Sequence, residues 1–270
     1  MKKCITIGNP VIQSKGPTIK TFACELLGIA DEYCFEVYQT DLSKNGEIDK
    51  LKQFILQNNV VGMSVTMPNK TSVIQMCDFV DDAAKFMNAV NTVAIRDGKL
   101  YGYNTDCIGI VEAIINTTNL DDKKIAILGS GGTTSAALYG FTQITKNITI
   151  FNRTVSKAMV LAQKFGVKYD DIININVSDF DIIINTTSVG FGNTTDSPIN
   201  TDKISTKHIV FDAIYKPTKT KLLSDAERNG AQIIYGMDML LYGTIPQIKY
   251  YTDHQLSAEQ ITQIKNFILS

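Results

Sequence analysis

The sequence predicts an α/β protein of two domains, the first built on a mixed sheet and the second on a doubly wound parallel sheet. Strand-like and helix-like stretches alternate along the chain, and a glycine turn after an apolar run at 124–128 begins a regular β/α alternation. An Asp97-Gly98 pair marks a hairpin, which puts an antiparallel edge on the first sheet. The 270 residues, 44% of them hydrophobic, are enough for two domains.

The first third of the chain carries three predicted strands and two predicted helices. The strands lie at 4–8, 33–39 and 60–67, the helices at 18–29 and 49–57, and the hairpin covers 89–106.

The third strand alternates at its end. Met63, Val65 and Met67 are predicted on one face, with Ser64 and Thr66 on the other. Pro68 has no N–H to continue a ladder, so the strand should stop there.

The second domain is predicted from a regular succession of elements. Helices are expected at 107–117, 133–144 and 156–165, and strands at 124–128, 148–151, 181–185, 208–215 and 232–236. Two final helices, 237–250 and 257–269, add no strand and are expected to return to the first domain. We therefore predict one domain of residues 1–106 with 238–270 and another of residues 107–237.

Composition argues against several classes of partner. The net charge of −1 shows no excess of basic residues that would indicate binding to nucleic acid or to an anionic membrane. No apolar run approaches the roughly 20 residues of a bilayer span. Five scattered cysteines favour reduced thiols in a cytoplasmic protein. The two histidines are not at ligand spacing from a cysteine, so no metal is expected.

The glycine turn reads GSGGTT, from Gly129 through Gly131 and Gly132 to Thr134. In a dinucleotide site the first glycine allows the tight turn and the second lets the backbone approach a pyrophosphate at a helix N-terminus. Glycine turns between strand and helix are common, but the strand before and the helix after favour a dinucleotide site. Thr134 is bulkier than the glycine or alanine usual at its position.

The end of the next strand predicts NADP as the cofactor. An NAD site usually offers an acid to the ribose 2′-OH about 20 residues past the glycines. This chain has Asn152, Arg153 and Thr154 there, with Lys157 following. Arg153 and Lys157 suit a 2′-phosphate; a solvated helix start with Thr154 as its N-cap is the alternative interpretation.

Three polar residues upstream also stand at predicted strand ends: Lys70, Asn91 and Asp106. Ligands of open α/β sheets bind at the carboxyl ends of strands, so these side chains are candidates for one site. A lysine and a carboxylate make a plausible acid/base pair for oxidising a carbinol with a nicotinamide. Each also has an ordinary structural interpretation, as loop lysine, turn residue or helix N-cap.

These motifs together resemble the shikimate dehydrogenase family, enzymes that reduce 3-dehydroshikimate with NADPH. The resemblance runs from Gly8 to about Leu241 and is carried by GNPVIQSKGP (8–17), GMSVTMPNK (62–70), NAVNTV (88–93), GYNTD (102–106), GSGGTTSA (129–136), NRT (152–154), INTTSVG (184–190), DAIYKPTKTKLL (212–223) and GMDML (236–240). It implies two α/β domains with the C-terminal helices returning to the first.

The resemblance also implies roles for individual residues. Lys70 and Asp106 would be the catalytic pair. The substrate would be held by Asn91 and Thr66 at its hydroxyls, by Ser14 at its carboxylate and by Tyr215. NADP would be bound by Gly129, Gly131, Gly132, Asn152, Arg153 and Thr154, bordered by Thr186 and Thr187, with Gly236 and Met239 at the nicotinamide.

The sequence departs from the family on the substrate side. The usual S-x-S-P is Ser14-Lys15-Gly16-Pro17, and the His-Asn that follows is Lys20-Thr21. The asparagine of N-V-T-x-P is Ser64, and the glutamine after M-L-x-x is Gly243. Losing a hydrogen bond to a charged group costs about 1.5–3 kcal/mol, so shikimate would bind poorly unless Lys15 pairs with the carboxylate and a water fills the gap beside Gly243.

The prediction is therefore an NADP-dependent oxidoreductase acting on shikimate or a related cyclic hydroxy acid, as a monomer or homodimer. Two alternatives stay open. A non-catalytic ligand-binding or regulatory protein would explain why several of the family's substrate-binding residues are missing. Methylenetetrahydrofolate dehydrogenases share a similar two-domain layout.

Overall fold

The computed structural model describes residues 1–192 and 195–269 and divides into two compact units. The first unit contains residues 1–105 and the C-terminal segment from Gly243 onward, and the second contains Asp106–Tyr242.

The first unit is built on a six-stranded mixed sheet. Its elements are β1 (Lys2–Gly8), α1 (Gly16–Leu27), β2 (Tyr33–Gln39), α2 (Glu47–Gln57), β3 (Val60–Val65), β4 (Phe79–Val80), α3 (Asp82–Met87), β5 (Thr92–Arg96) and β6 (Lys99–Tyr103). The strand order is β2-β1-β3-β5-β6-β4. β1 pairs in parallel with β2 and β3, whereas β5 pairs antiparallel with β3 and β6, which confirms the mixed sheet.

The predicted hairpin turn lies between β5 and β6. Asp97 has φ 50° and Gly98 has φ 73°, the left-handed conformations that a two-residue turn of type I′ requires. The turn reverses the chain within two residues and fixes the β5–β6 register, in which Arg96 faces Lys99.

The second unit is a six-stranded parallel sheet. Its elements are α4 (Asp106–Ile115), β7 (Ile125–Leu128), α5 (Gly132–Phe141), β8 (Ile148–Asn152), α6 (Val155–Phe165), β9 (Lys168–Asp171), β10 (Ile182–Asn185), β11 (Ile209–Asp212), α7 (Lys221–Arg228) and β12 (Gln232–Ile234). The order β12-β11-β10-β7-β8-β9 reverses direction at β7, as in a doubly wound sheet.

Both faces of this sheet are buried at its centre, because β7, β10 and β11 are almost entirely apolar. Ile125 and Ile127 of β7 pack in one core with Phe141 of α5, while Ala126 and Leu128 pack in another with Leu222 of α7. Alternate residues of a strand point to opposite faces, so a sheet covered on both sides needs apolar residues at every position.

The last two helices are α8 (Gly236–Thr252) and α9 (Ala258–Leu269). From Gly243 onward the chain belongs to the first unit, where the Gln260 amide donates a hydrogen bond of 2.8 Å to the Leu26 carbonyl of α1. The predicted return of the C-terminal helices to the first domain is confirmed.

One predicted face is wrong. β3 ends at Val65, and Met67 is 75% exposed, whereas Met63 and Val65 are buried. Thr66 already begins a turn, because its carbonyl accepts the N–H of Asn69 at 2.9 Å. The alternation of the sequence therefore continues past the last residue that lies in the sheet.

Four of the helices and strands had no predicted range: β4, α3, β9 and α7. β4 has only two residues, too few for a period, and β9 reads KYDD, a charged edge strand. All five cysteines are free thiols, as expected. In the described part of the chain, no helix has both the length and the apolar character needed to cross a membrane.

Candidate active site

The turn after β3 holds Thr66 close to β1. The Thr66 N–H donates to the Ile7 carbonyl at 2.9 Å, and a Cβ at Gly8 would lie 2.4 Å from the Thr66 methyl carbon. Gly8 is therefore required by the close approach of Thr66, and the half-buried Thr66 side chain is held at the carboxyl end of the strand.

Lys70 and Asn91 are brought together by the backbone of the first unit. The carbonyl of Lys70 accepts the N–H of Val90 at 2.8 Å, and the carbonyl of Asn91 accepts the N–H of Val65 at 2.7 Å. Lys70 is half-buried and Asn91 is 5% exposed. These two predicted site residues thus lie in adjoining segments at the carboxyl end of β3.

The Asn91 amide is held in one orientation. Its Oδ1 accepts the backbone N–H of Thr105 at 2.8 Å and the Thr92 hydroxyl at 2.7 Å, and its Nδ2 donates to Thr105 Oγ1 at 3.1 Å. A backbone N–H can only donate, so Oδ1 and Nδ2 are distinguished by their partners.

A residue that the sequence did not single out completes this network. Gln247 of α8 is 7% exposed, and its Nε2 donates to the Thr92 hydroxyl at 3.1 Å. Its Oε1 accepts the Ser64 hydroxyl at 3.1 Å, and Ser64 Oγ also lies 3.1 Å from the Tyr251 hydroxyl. Since the single Ser64 proton goes to Gln247, Tyr251 donates to Ser64.

The glutamine expected at the position of Gly243 therefore has a counterpart one helical turn later. Residues four apart lie on the same helix face, so Gln247 faces the side on which residue 243 stands. The i, i+4 spacing of Gly243 and Gln247 is the sequence signal from which Gln247 could have been identified. Burial of Tyr251 raises the pKa of its phenol, so it stays a neutral donor.

The loop before α1 presents Ser14 half-buried and Lys15 exposed. The Gly16 N–H donates to Ser14 Oγ at 3.3 Å, which places the hydroxyl at the helix N-terminus. The exposed position of Lys15 does not favour it as the partner of a buried carboxylate.

In the second unit, the glycine turn has the geometry of a phosphate-binding loop. Gly129 has φ 117°, and a Cβ on it would lie 2.8 Å from Thr186 Oγ1, so a side chain does not fit. Around the Cβ positions of Gly131 and Gly132, no described atom lies within 4 Å apart from adjoining residues and the α5 backbone. The loop is open there, at the N-terminus of the ten-residue helix α5.

Thr134 has a role beyond packing. Its hydroxyl accepts the Gly131 N–H at 3.1 Å and lies 2.8 Å from Thr186 Oγ1, which donates to the Leu128 carbonyl at 2.7 Å. Because Thr186 gives its proton to Leu128, Thr134 donates to Thr186. Thr134 thus ties the glycine loop to the end of β10.

The end of β8 carries the residues predicted for the 2′-phosphate. Asn152 Nδ2 donates to the Thr154 carbonyl at 2.9 Å, and Thr154 stands at the N-cap of α6 without a side-chain capping bond. Arg153 and Lys157 are exposed, and neither forms an ion pair within 1–192 and 195–269. Both cations are therefore available to an anion.

The ends of β10 and β11 are joined by a buried polar group. Asn185 Oδ1 accepts the Thr187 hydroxyl at 2.8 Å, and Asn185 Nδ2 donates to Asp212 Oδ1 at 3.0 Å. Asp212 also accepts the Thr220 hydroxyl at 2.7 Å; burial raises the pKa of its carboxyl. Thr187 is thereby oriented, while Tyr215, just past β11, is 36% exposed.

The remaining predicted residues also lie in the second unit. Asp106 is the first residue of α4. At Gly236, the first residue of α8, a Cβ would lie 2.6 Å from the Ile214 carbonyl oxygen, so only glycine lets the helix start this close to the end of β11. Met239 packs against the core that contains Ile127.

The chain matches two family models. One, described as the shikimate dehydrogenase substrate binding domain, matches residues 6–93, and one described as shikimate / quinate 5-dehydrogenase matches residues 110–216.

Individual proteins agree with these matches. The chain is 36% identical to a protein of Aquifex aeolicus named shikimate dehydrogenase (NADP(+)), with 91% of this chain and 89% of that protein covered. It is also 36% identical to one of the same name from Methanosphaera stadtmanae, with 94% and 92% covered. A crystal structure of a shikimate dehydrogenase in complex with NADP+ matches with a TM-score of 0.89 at 30% identity, covering 100% of this chain and 96% of that one. On these sequence and structural grounds, the chain belongs to the shikimate dehydrogenase family.

Proposed function

We propose that this protein is an NADP-dependent oxidoreductase that interconverts 3-dehydroshikimate and shikimate, or a closely related cyclic hydroxy acid. The observation that carries the proposal is the cofactor loop of the second unit, a glycine turn open at Gly131 and Gly132. Arg153 follows the next strand and Lys157 lies in the first turn of α6, and neither cation has an ion-pair partner among the described residues. The names of the relatives agree with it.

Bound NADP would supply a nicotinamide that takes a hydride from the carbinol carbon of the substrate. We assign Lys70 and Asp106 as the acid/base pair that removes the hydroxyl proton in oxidation and returns it in reduction. The backbone bond between Lys70 and Val90 supports this role, because it holds the lysine beside Asn91.

The substrate is proposed to bind through hydroxyl and amide groups that the fold already holds in place. Thr66 and Asn91 suit the ring hydroxyls, Ser14 the carboxylate, and Tyr215 a further contact from the end of β11. The oriented Asn91 amide supports its assignment, since a preorganised group loses little freedom on binding.

For the cofactor, we assign Gly129, Gly131 and Gly132 to the pyrophosphate. The strand-end group Asn152, Arg153, Thr154 and Lys157 is assigned to the adenosine 2′-phosphate side. Thr186 and Thr187 border the cofactor, and Gly236 and Met239 the nicotinamide.

The test is a steady-state screen of shikimate, quinate and amino-substituted analogues with NADP and NAD, followed at the nicotinamide absorbance. Lys70→Ala and Asp106→Ala are expected to lower kcat by roughly 10²–10⁴-fold while the dissociation constant of NADP stays unchanged. Unchanged turnover in either variant would contradict the acid/base assignment. Tight binding of an acid without turnover by the wild type would favour a non-catalytic protein instead.

We also propose that the enzyme works in the cytoplasm, as a monomer or a homodimer. The free thiols, three of them buried, support a reducing compartment. Sedimentation of the purified protein distinguishes monomer from dimer, and a larger assembly would contradict the proposal.

A further inference from the structure

Lys20, on α1, is a buried cation without a counter-charge. Lys20 is 2% exposed, and its ammonium makes no hydrogen bond or ion pair with any described residue. The titratable groups that face it are the thiols of Cys4 on β1 and Cys24 on α1. Burying an ammonium without a partner is costly, so such a group is rarely kept for stability alone.

The Lys20 side chain extends back along the helix toward its N-terminus. A Cβ built on Gly16, one turn earlier, would lie 3.2 Å from the Lys20 ammonium nitrogen and 3.4 Å from Ser14 Oγ. The ammonium and the hydroxyl therefore border the same small space, which the missing side chain of Gly16 leaves open.

The helix end adds positive potential to this space. α1 has 12 residues and no acidic residue in its first turn, and the side chain of its N-cap residue, Lys15, makes no capping hydrogen bond. A helix N-terminus carries partial positive charge and favours anions, so a cation placed there opposes the dipole. The Lys20 ammonium and the N-terminus of α1 therefore both place positive charge beside this space, and a single anion there would interact favourably with both.

We propose that Lys20, with Ser14 and the N-terminus of α1, binds the carboxylate of the substrate. The assignment rests on the proposed function for the identity of the anion. Lys20 then replaces the hydroxyl that Gly16 cannot supply, and it does so from within the fold, whereas the exposed Lys15 does not.

The test compares Lys20→Met with the wild type, using shikimate and its methyl ester. Removing the cation is expected to raise KM for the acid by roughly 10- to 100-fold, with little change in kcat and no change in KM for the uncharged ester. Lys52→Met, on the exposed side of α2, removes the same charge elsewhere and serves as the control.

A second readout separates binding from structure. Lys20→Met removes a buried unpaired charge, so the melting temperature of the ligand-free protein is expected to rise. A lower melting temperature with equal losses for acid and ester would mean a structural role and overturn the proposal. Lys20→Gln, which keeps a polar side chain, checks that the loss of acid binding follows the charge.

Two further outcomes are decisive. An unchanged KM for the acid in Lys20→Met, or a rise in Lys15→Met instead, overturns the assignment of Lys20 while leaving the dehydrogenase intact. If the wild type turns over no cyclic hydroxy acid, the proposed function fails. Calorimetric binding of shikimate, lost in Lys20→Met, would then still support the anion site.

Discussion

The Ser64 hydroxyl donates a hydrogen bond of 3.1 Å to the side-chain carbonyl of Gln247, although 183 residues separate them. Both side chains are buried. Gln247 also donates a hydrogen bond to the Thr92 hydroxyl, which in turn donates to the side-chain carbonyl of Asn91. The two substrate-side departures at positions 64 and 243 are therefore structurally connected, since Ser64 binds the glutamine that lies one turn after Gly243.

We predict that Ser64 and Gln247 are energetically coupled. Ser64→Ala and Gln247→Leu are each expected to lower the free energy of unfolding by about 1–3 kcal/mol, because a buried polar partner is left unsatisfied. The double variant should lose less than the sum, with a coupling of about 0.5–3 kcal/mol in urea unfolding. Strict additivity would show that the bond contributes nothing.

Lys20 is predicted to destabilise the ligand-free protein. Burial lowers its pKa to about 8, while burial raises the pKa of Cys4 to about 12 and that of Cys24 to about 11, so both thiols stay neutral near pH 8. Lys20→Met should therefore raise the free energy of unfolding at pH 7 by about 1–3 kcal/mol.

The sign of the pH dependence follows from the lowered pKa. Between pH 8 and the model-compound value of 10.5, the unfolded state holds the Lys20 proton and the folded state does not, so this group's contribution to stability rises with pH. The advantage of Lys20→Met over the wild type should shrink across that range in denaturant titrations. A gap that widens with pH would contradict the prediction.

Arg153 is predicted to set the preference for NADP over NAD. Arg153→Ala should raise KM for NADP roughly tenfold, since an exposed charge-assisted contact to the 2′-phosphate is lost, and leave KM for NAD unchanged. NAD is the internal control, because it lacks only that phosphate. An equal rise in KM for both cofactors would show that Arg153 does not bind the 2′-phosphate.

The glycine loop yields a paired prediction. Gly129→Ala should lower the free energy of unfolding by about 1–3 kcal/mol, because φ is 117° and the new methyl would meet Thr186. Gly132→Ala has open space around it and should leave stability unchanged or slightly higher, yet weaken NADP binding. Thermal unfolding of both variants measures the effect on stability, and cofactor titration measures the effect on NADP binding. Full NADP affinity in Gly132→Ala would place the phosphates elsewhere.

The two α/β domains, the glycine loop and the hairpin turn could all be predicted from the residues alone. The apolar residues of β10 and β11 predict strands, and the Asp97-Gly98 pair predicts a tight turn. Each of these predictions depends only on residues close together in the chain. The roles assigned to Lys70, Asp106 and the cofactor residues remain predictions.

The residues that lie near the departures at positions 16, 64 and 243 could be identified only from the packing of the folded chain. Helical spacing places Gln247 and Lys20 on the faces of Gly243 and Gly16, but it cannot say that one meets Ser64 on β3 or that the other lies buried beside Ser14. Those contacts depend on how helices pack against a sheet, which long-range burial of apolar surface determines, and the same packing left Met67 outside the strand.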